Sequence, residues 1–314
     1  MPSRTVRAQL WLSGRLDKGE EGVEFQPQHG GYLDHGPYYA ANSFLDPRSG
    51  RRIVHGWMPE EDLPLDAAVK KGWNGSLALP REIFLLRIPK VTGTLRSPLH
   101  QIYPFELKAE PDGSTTVLTL GVRLLRELVQ LRDACRRVLE HQNPVALPGS
   151  HSTGHWTIAD TKSKAWELEA TISVNPGCQE VGVHLRHNAD LSIRTTVTFS
   201  TVTETITVDR QASNNDPTVT KCPDAGPFTL LTTQDVNAAG GSTREKLHLR
   251  IFSDGDILEL FANDRFALAT MVYSDSRGLD ARGVTAFATG SENSAVFETL
   301  TIWDGLKPTI SGHV

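Results

Sequence analysis

Two consecutive stretches decide the fold: Asp34-His35-Gly36-Pro37-Tyr38-Tyr39-Ala40-Ala41-Asn42-Ser43-Phe44-Leu45-Asp46, and Gly50-Arg51-Arg52-Ile53-Val54-His55-Gly56-Trp57. Tyr38, Tyr39, Ser43, Phe44, Ile53 and Val54 are residue types that fit a pleated, half-buried surface. Asp46-Pro47 and Ser49-Gly50 supply the turn between them. A short strand pair is the economical reading. Further signals follow in order: the acidic run Glu60-Glu61-Asp62, then Gly72-Trp73-Asn74-Gly75-Ser76, then Leu79-Pro80-Arg81.

Working outward, Ala8 to Leu12 reads as another strand, followed by a polar turn from Ser13 to Gly22 and by Val23-Glu24-Phe25. From Gly121 to His141 the period changes. Leu124, Leu128, Leu131, Cys135 and Val138 fall at steps of four, three, four and three, which predicts one face of a surface helix. Arg123, Arg126, Glu127, Arg132, Arg136 and Arg137 would fill the solvated remainder. Beyond it the pattern alternates. Leu247, Leu249 and Ile251 share a face, Ser253-Asp254-Gly255-Asp256 turns into Ile257 to Phe261, and Asn263-Asp264 turns into Phe266 to Tyr273. Short strands at this spacing, ending in Val296 to Trp303, predict a two-sheet sandwich.

The 314 residues, 39% hydrophobic and 22% charged, describe an ordinary globular chain too long for one small core. A net charge of −5 offers no basic stripe for phosphates, so nucleic acid is excluded as a partner. No apolar run reaches the length of a membrane span, and the patch at Ala8 to Leu12 is too short for a secretory core. Cys135, Cys178 and Cys222 have no histidines at zinc spacing, so neither a metal nor another cofactor is expected. Cys178 and Cys222 could pair, but buried free thiols are the preferred reading.

The order of these motifs resembles glycoside hydrolase family 32, the invertases, inulinases and related fructosidases. That family carries an Asp-x-Gly-x-Tyr-Tyr-Ala segment, a Gly-Arg-Arg-Ile strand, a Gly-Trp, an acidic cluster, a second Gly-Trp and a Pro-Arg. The match lies at Asp34 to Ala40, Gly50 to Ile53, Gly56-Trp57, Glu60 to Asp62, Gly72-Trp73 and Pro80-Arg81. Farther on, Glu127 to Arg132, Thr205 to Arg210 and Asp254 to Asp264 resemble the family's linker and C-terminal signatures. The resemblance implies an all-β chain. Residues 1–120 would form about two blades of a partial five-bladed β-propeller, 121–141 a short helical linker, and 142–314 a β-sandwich. It further implies sucrose or a fructan as the partner, and a family that is mostly extracellular. It leaves the oligomeric state open.

Retaining hydrolysis of a fructoside needs a carboxylate nucleophile and a second, protonated carboxyl, about 5 Å apart. The family places these groups in Trp-Met-Asn-Asp-Pro-Asn-Gly and Glu-Cys motifs, with a stabilising Asp in Arg-Asp-Pro. None of the three occurs. The cysteines follow Ala134, Gly177 and Lys221, Asn215-Asp216-Pro217 sits in the sandwich half, and Arg132-Asp133 continues into Ala134. No catalytic residue is therefore assigned, and the chain alone is expected to be inactive. A non-catalytic carbohydrate-binding or structural module is the alternative.

The resemblance does assign substrate-binding residues. Asp34 would accept hydrogen bonds from sugar hydroxyls, with capping of its own turn as the rival. Trp57 and Trp73 would offer flat apolar faces to a sugar ring, with burial between blades as the rival use for at least one of them. Glu60, with Glu61 and Asp62, forms an acidic loop at the rim that could host a general acid, because like charges raise one another's pKa, with a solvated loop as the preferred rival. Arg81 and Glu259 read as structural, Glu259 sharing its strand face with Ile257 and Phe261.

Overall fold

The computed structural model describes residues 7–19, 22–102, 104–147, 154–234, 241–273 and 281–307. The chain is all-β, with one short α-helix and two 3-10 turns among the described residues.

Strands β1 (Leu10–Gly19) and β2 (Gly22–Tyr32) form a separate two-stranded antiparallel ribbon. The quoted motif then builds β3 (Tyr39–Leu45) and β4 (Arg52–Met58), paired antiparallel with Phe44 opposite Ile53. Their turn forms where expected: Asp46 accepts from the Arg48 amide and from Ser49, and Gly50 takes φ 68°. Strands β5 (Ser76–Leu77), β6 (Arg81–Gly93), β7 (Glu106–Ala109) and β8 (Thr115–Leu124) complete this N-terminal sheet. Its last members come from far along the chain. Thr232–Gln234 pairs with β6 and carries Ser242–Arg244 beside it, so residues beyond 142 contribute to the N-terminal sheet.

The remaining strands form two sheets of seven and six. Their inward faces share one core, which includes Leu168, Leu249, Leu260 and Ile302 from the larger sheet and Leu185, Val197, Ile206 and Val284 from the smaller. This is the anticipated sandwich, and its alternation is the period-2 pattern of Leu247 to Ile251. Asn263 and Asp264 both adopt positive φ, 45° and 52°, as a tight hairpin turn requires. A second core lies on the seam between the sandwich and the N-terminal sheet, where Phe252, Phe261, Ala267 and Ala269 meet Leu33, Tyr38, Val54 and Val122.

The helix expected over residues 121–141 is not what forms. Leu124 ends β8, Arg126–Arg132 is a 3-10 turn, and Arg137–His141 is a strand paired with Ala295–Asp304. The leucine spacing is real, but tertiary partners override it. Arg132 reaches Glu167 and Glu169 and lies 3.6 Å from the centre of the Trp303 ring, while the backbone of 137–141 bonds to a sheet edge. The α-helix, α1 (Leu65–Lys71), sits instead after the acidic run, stopped by Gly72 in the left-handed conformation. All three cysteines are free.

Candidate functional site

The quoted motif is where the N-terminal sheet meets the sandwich, and Asp34, Gly36, Tyr38 and Gly56 each have a physical role there. Asp34 is fully buried. Its Oδ1 accepts from the Gly36 amide at 2.7 Å, the Asx turn, and from the Ala269 amide at 2.9 Å across the seam. Its Oδ2 accepts from Arg81 Nη1 at 2.6 Å. The carboxylate is thus taken up by the fold, as the turn-capping alternative requires, and no part of it faces solvent. Gly36 has to be glycine, because a Cβ there would lie 1.8 Å from the Ala269 carbonyl oxygen. Tyr38 packs its ring over the Arg81 guanidinium at 4.1 Å, and Gly56 leaves the space that ring occupies.

Arg81 is the hub. Its other nitrogen, Nη2, donates to Glu259 Oε2 at 3.0 Å, and Glu259 Oε1 accepts from the Leu79 amide at 2.8 Å. Burial pushes the Arg81 pKa down, but the charges of Asp34 and Glu259 outweigh it and hold it above its ordinary value. Burial raises Glu259, with Arg81 opposing. Tyr38, buried beside the same charges, is pushed up to about 12, desolvation being the larger cause. Both Arg81 and Glu259 are structural residues, as the sequence suggested.

Glu60 is also buried, so the acidic run is not a solvated loop. Its carboxylate pairs with Lys71 on α1 and accepts from the Gly75 amide at 2.9 Å. Trp57, half-buried on β4, lays its indole against Gly75. Trp73 is 62% exposed, with Lys71 Nζ 5.3 Å from its ring centre. The structure therefore brings Trp57, Glu60, Lys71 and Trp73 together, and holds Asp34 apart from them in the Arg81 cluster. Of the acidic run, Glu61 reaches Arg7 at 2.7 Å and Asp62 is buried.

Two further charged joints were not anticipated. Arg210 is almost fully buried and donates to Asp62 Oδ2 at 2.8 Å and to the Met271 carbonyl at 2.6 Å. Glu204 accepts from the Arg96 and Ser97 amides at 3.3 and 2.9 Å. A signal for Arg210 was present: an arginine closing the alternating run Thr205 to Asp209, beside the quoted signature. Glu204 carries no comparable signal.

One cavity of about 610 Å³ opens between the ribbon and the sandwich, lined by Trp11, Tyr32, His35, Phe105, Phe228 and Arg265 among others. Burial lowers the His35 pKa, with the charge of Asp34 opposing. Among the described residues no group of three or more His, Cys, Asp or Glu could hold a metal ion, and no helix is long and apolar enough to cross a membrane.

The architecture is thus that of a β-sandwich fastened by buried charges to a second, open antiparallel sheet. Family models give the class its name: the glycosyl hydrolases family 32 C-terminal model matches residues 127–304, and the N-terminal domain model matches residues 3–96. The chain belongs to glycoside hydrolase family 32.

A beta-fructofuranosidase, cell wall isozyme, of Zea mays is 26% identical over 98% of this chain and 52% of its own length. A fructan 1-exohydrolase of Hordeum vulgare reaches 49% over 53 residues, which is 17% of this chain and 9% of the relative. Among solved structures, the Aspergillus kawachii beta-fructofuranosidase shares the fold with a TM-score of 0.81 and 24% identity, over 96% of this chain and 52% of that one. The chain spans about half the length of the maize and Aspergillus proteins.

Proposed function

We propose that this chain is the C-terminal part of a β-fructofuranosidase-like hydrolase acting on sucrose or fructans, and that it does not cleave them by itself. In this reading the ribbon and the N-terminal sheet amount to about two blades of a five-bladed propeller, the 3-10 turn Arg126–Arg132 links them to the sandwich, and the sandwich half sends Thr232–Gln234 and Ser242–Arg244 back onto β6. The observation that carries it is the state of the acids. Asp34, Glu60 and Glu259 are all buried, each bound to a cation and to a backbone amide. Retaining hydrolysis instead needs an ionised carboxylate and a protonated one facing each other about 5 Å apart, both able to reach the sugar.

The chain's contribution to a sugar pocket is then a wall. Trp57 and Trp73 offer indole faces to the C–H surface of a sugar, Glu60 fixes Lys71 and the Gly75 turn behind them, and Asp34 holds the neighbouring strand through Arg81. Names borne by relatives support the substrate class. One solved neighbour is a fructan 1-exohydrolase of Cichorium intybus in complex with 1-kestose.

The test is incubation of the purified 314-residue chain with sucrose, 1-kestose and inulin, with fructose measured by chromatography. No release above a protein-free control is expected. Release that rises with enzyme purity would overturn the reading. Exposure of Trp73 favours a second reading, a sugar-binding module without turnover, and calorimetry with the same sugars separates the two: heat without release belongs to the binding module.

A further inference from the structure

The chain contains a single Asn-Gly step, Asn74-Gly75, in the turn that runs from α1 into β5. Glu60 holds that turn at two points. Its backbone amide donates to Asn74 Oδ1 at 3.3 Å, and its Oε2 accepts from the Gly75 amide at 2.9 Å. Glu60 is buried, whereas Asn74 is exposed. A backbone amide can only donate, so the bond from Glu60 fixes which end of the Asn74 side chain faces it. Among the described residues the other end, Nδ2, makes no hydrogen bond.

Four other asparagines are placed differently. Asn175, Asn188 and Asn263 each commit Nδ2 to a partner, at 2.7, 2.9 and 2.8 Å, and Asn214 is buried with its Nδ2 on the Tyr273 carbonyl. Their successors are Pro176, Ala189, Asp264 and Asn215, so the amide that follows is crowded by a side chain or, at Pro176, has no proton. Gly75 has neither obstacle. Its φ of 87°, and the Trp57 Nε1 atom 2.0 Å from where a Cβ would stand, require glycine there. Around one side-chain amide the turn gathers what acyl transfer needs: a nitrogen one residue along the chain, a carboxylate within bonding distance of its proton, and an N–H donor on the carbonyl oxygen.

We propose that Asn74-Gly75 is a self-modifying site, at which Glu60 drives deamidation of Asn74 with water as the only co-reactant. The Gly75 amide nitrogen gives its proton to Glu60 Oε2 and bonds to Asn74 Cγ, while Oδ1 takes up negative charge against the Glu60 N–H. The Cγ–Nδ2 bond then breaks, the proton passes from Glu60 to the departing nitrogen, and ammonia leaves behind a five-membered succinimide. Water opens that ring at one of its two carbonyls, so position 74 ends as an aspartyl or an isoaspartyl residue. One water is consumed and one ammonia released. The product adds a negative charge beside the acidic run, and the isoaspartyl form lengthens the backbone between Trp73 and Gly75. Both changes fall on the turn that carries the exposed Trp73 indole. The reaction needs no sugar, so it goes beyond the functional reading above and does not depend on it.

The experiment holds the purified 314-residue chain at neutral pH and follows ammonia release, with peptide mapping and isoaspartyl methyltransferase labelling to place the modified residue. Conversion at Asn74 should run roughly tenfold or more faster in the folded chain than in a synthetic peptide of residues 70–79, since a positioned base contributes at least that much. Across the neutral range the folded-chain rate should stay flat, while the peptide's rises in proportion to hydroxide. Glu60→Gln keeps the backbone donor, removes the base, and should slow conversion to about the peptide's rate. Lys71→Met releases the salt bridge but leaves the Glu60 carboxylate, and should not slow it. Near-UV circular dichroism checks that both variants keep native packing.

The proposal is overturned by a chain that stays unconverted at Asn74, by conversion no faster in the folded chain than in the peptide, or by a folded-chain rate that climbs with hydroxide as the peptide's does. Equal slowing in Lys71→Met and Glu60→Gln also overturns it, because the pair would then act by holding the turn and not by moving the proton. Should Glu60→Gln fail to fold, the pH profile and the Lys71→Met rate decide between these outcomes.

Discussion

The sandwich and the N-terminal sheet are made from similar strands but are held by different forces. In the sandwich, two sheets close on each other, and Leu168, Leu185, Ile206 and Leu260 have no exposed surface. The N-terminal region has no such closure. Its ribbon and β3 leave aromatic and aliphatic side chains in water, and the smaller apolar seam that joins it to the sandwich is threaded by the charges of Arg81, Arg210 and Glu204. A closed apolar core tolerates loss of a side chain in proportion to volume. A buried ion cluster fails when one member goes, because the others remain charged and unpaired.

The first way to break this contrast is Arg81→Met. It would strand two buried carboxylates, and we expect a loss of about 3–5 kcal/mol in urea-induced unfolding. A loss under 1 kcal/mol would mean that the cluster contributes little. Close behind comes Leu260→Ala, a pure cavity in the sandwich, expected to cost about 2–5 kcal/mol.

The third prediction uses pH. His184 stacks on Phe287 at 4.5 Å and hydrogen-bonds Thr196 at 3.0 Å. Burial, then the charges of His155, Arg194 and His187, lower its pKa from 6.5 to about 4. The unfolded chain takes up that proton first, so stability contributed by the neutral ring is intact above pH 6.5 and is lost as pH falls toward 4. Comparing His184→Gln with the native protein, the slope of stability in that window should flatten by an amount worth about 1–3 kcal/mol in total. Parallel pH profiles for the two proteins would sink it.

Smallest is Leu16→Ser on the ribbon. At 73% exposure it should change stability by no more than about 0.5 kcal/mol. A larger loss would show that the ribbon face is already covered within the chain.

Much of this was legible beforehand because strand pairs announce themselves locally. The Asp46 to Gly50 turn, the Asn263-Asp264 hairpin and the alternation of Leu247 to Ile251 each need only their neighbours. The glycines of Asp34-x-Gly36 and Gly56-Trp57 stood out as well, but their reason did not. Gly36 answers to Ala269, more than two hundred residues away, and Gly56 to the Tyr38 ring. The resemblance directed attention to Asp34 and Glu60 as surface acids, whereas burial is set by partners, Arg81 and Lys71, that no spacing reveals. Residues 121–141 show the converse. A helical period was present, and the bonds it would have made were outcompeted by the edge of Ala295–Asp304 and by the carboxylates facing Arg132.

The small hairpin of Thr232–Gln234 and Ser242–Arg244 bears on how the molecule can be divided. It departs from the sandwich half and clips onto β6 by pairing Thr232 with Gly93 and Thr233 with Val91. Severing the backbone near residue 142 would leave this clip engaged, so scissors placed at the apparent border would yield two pieces still interlocked.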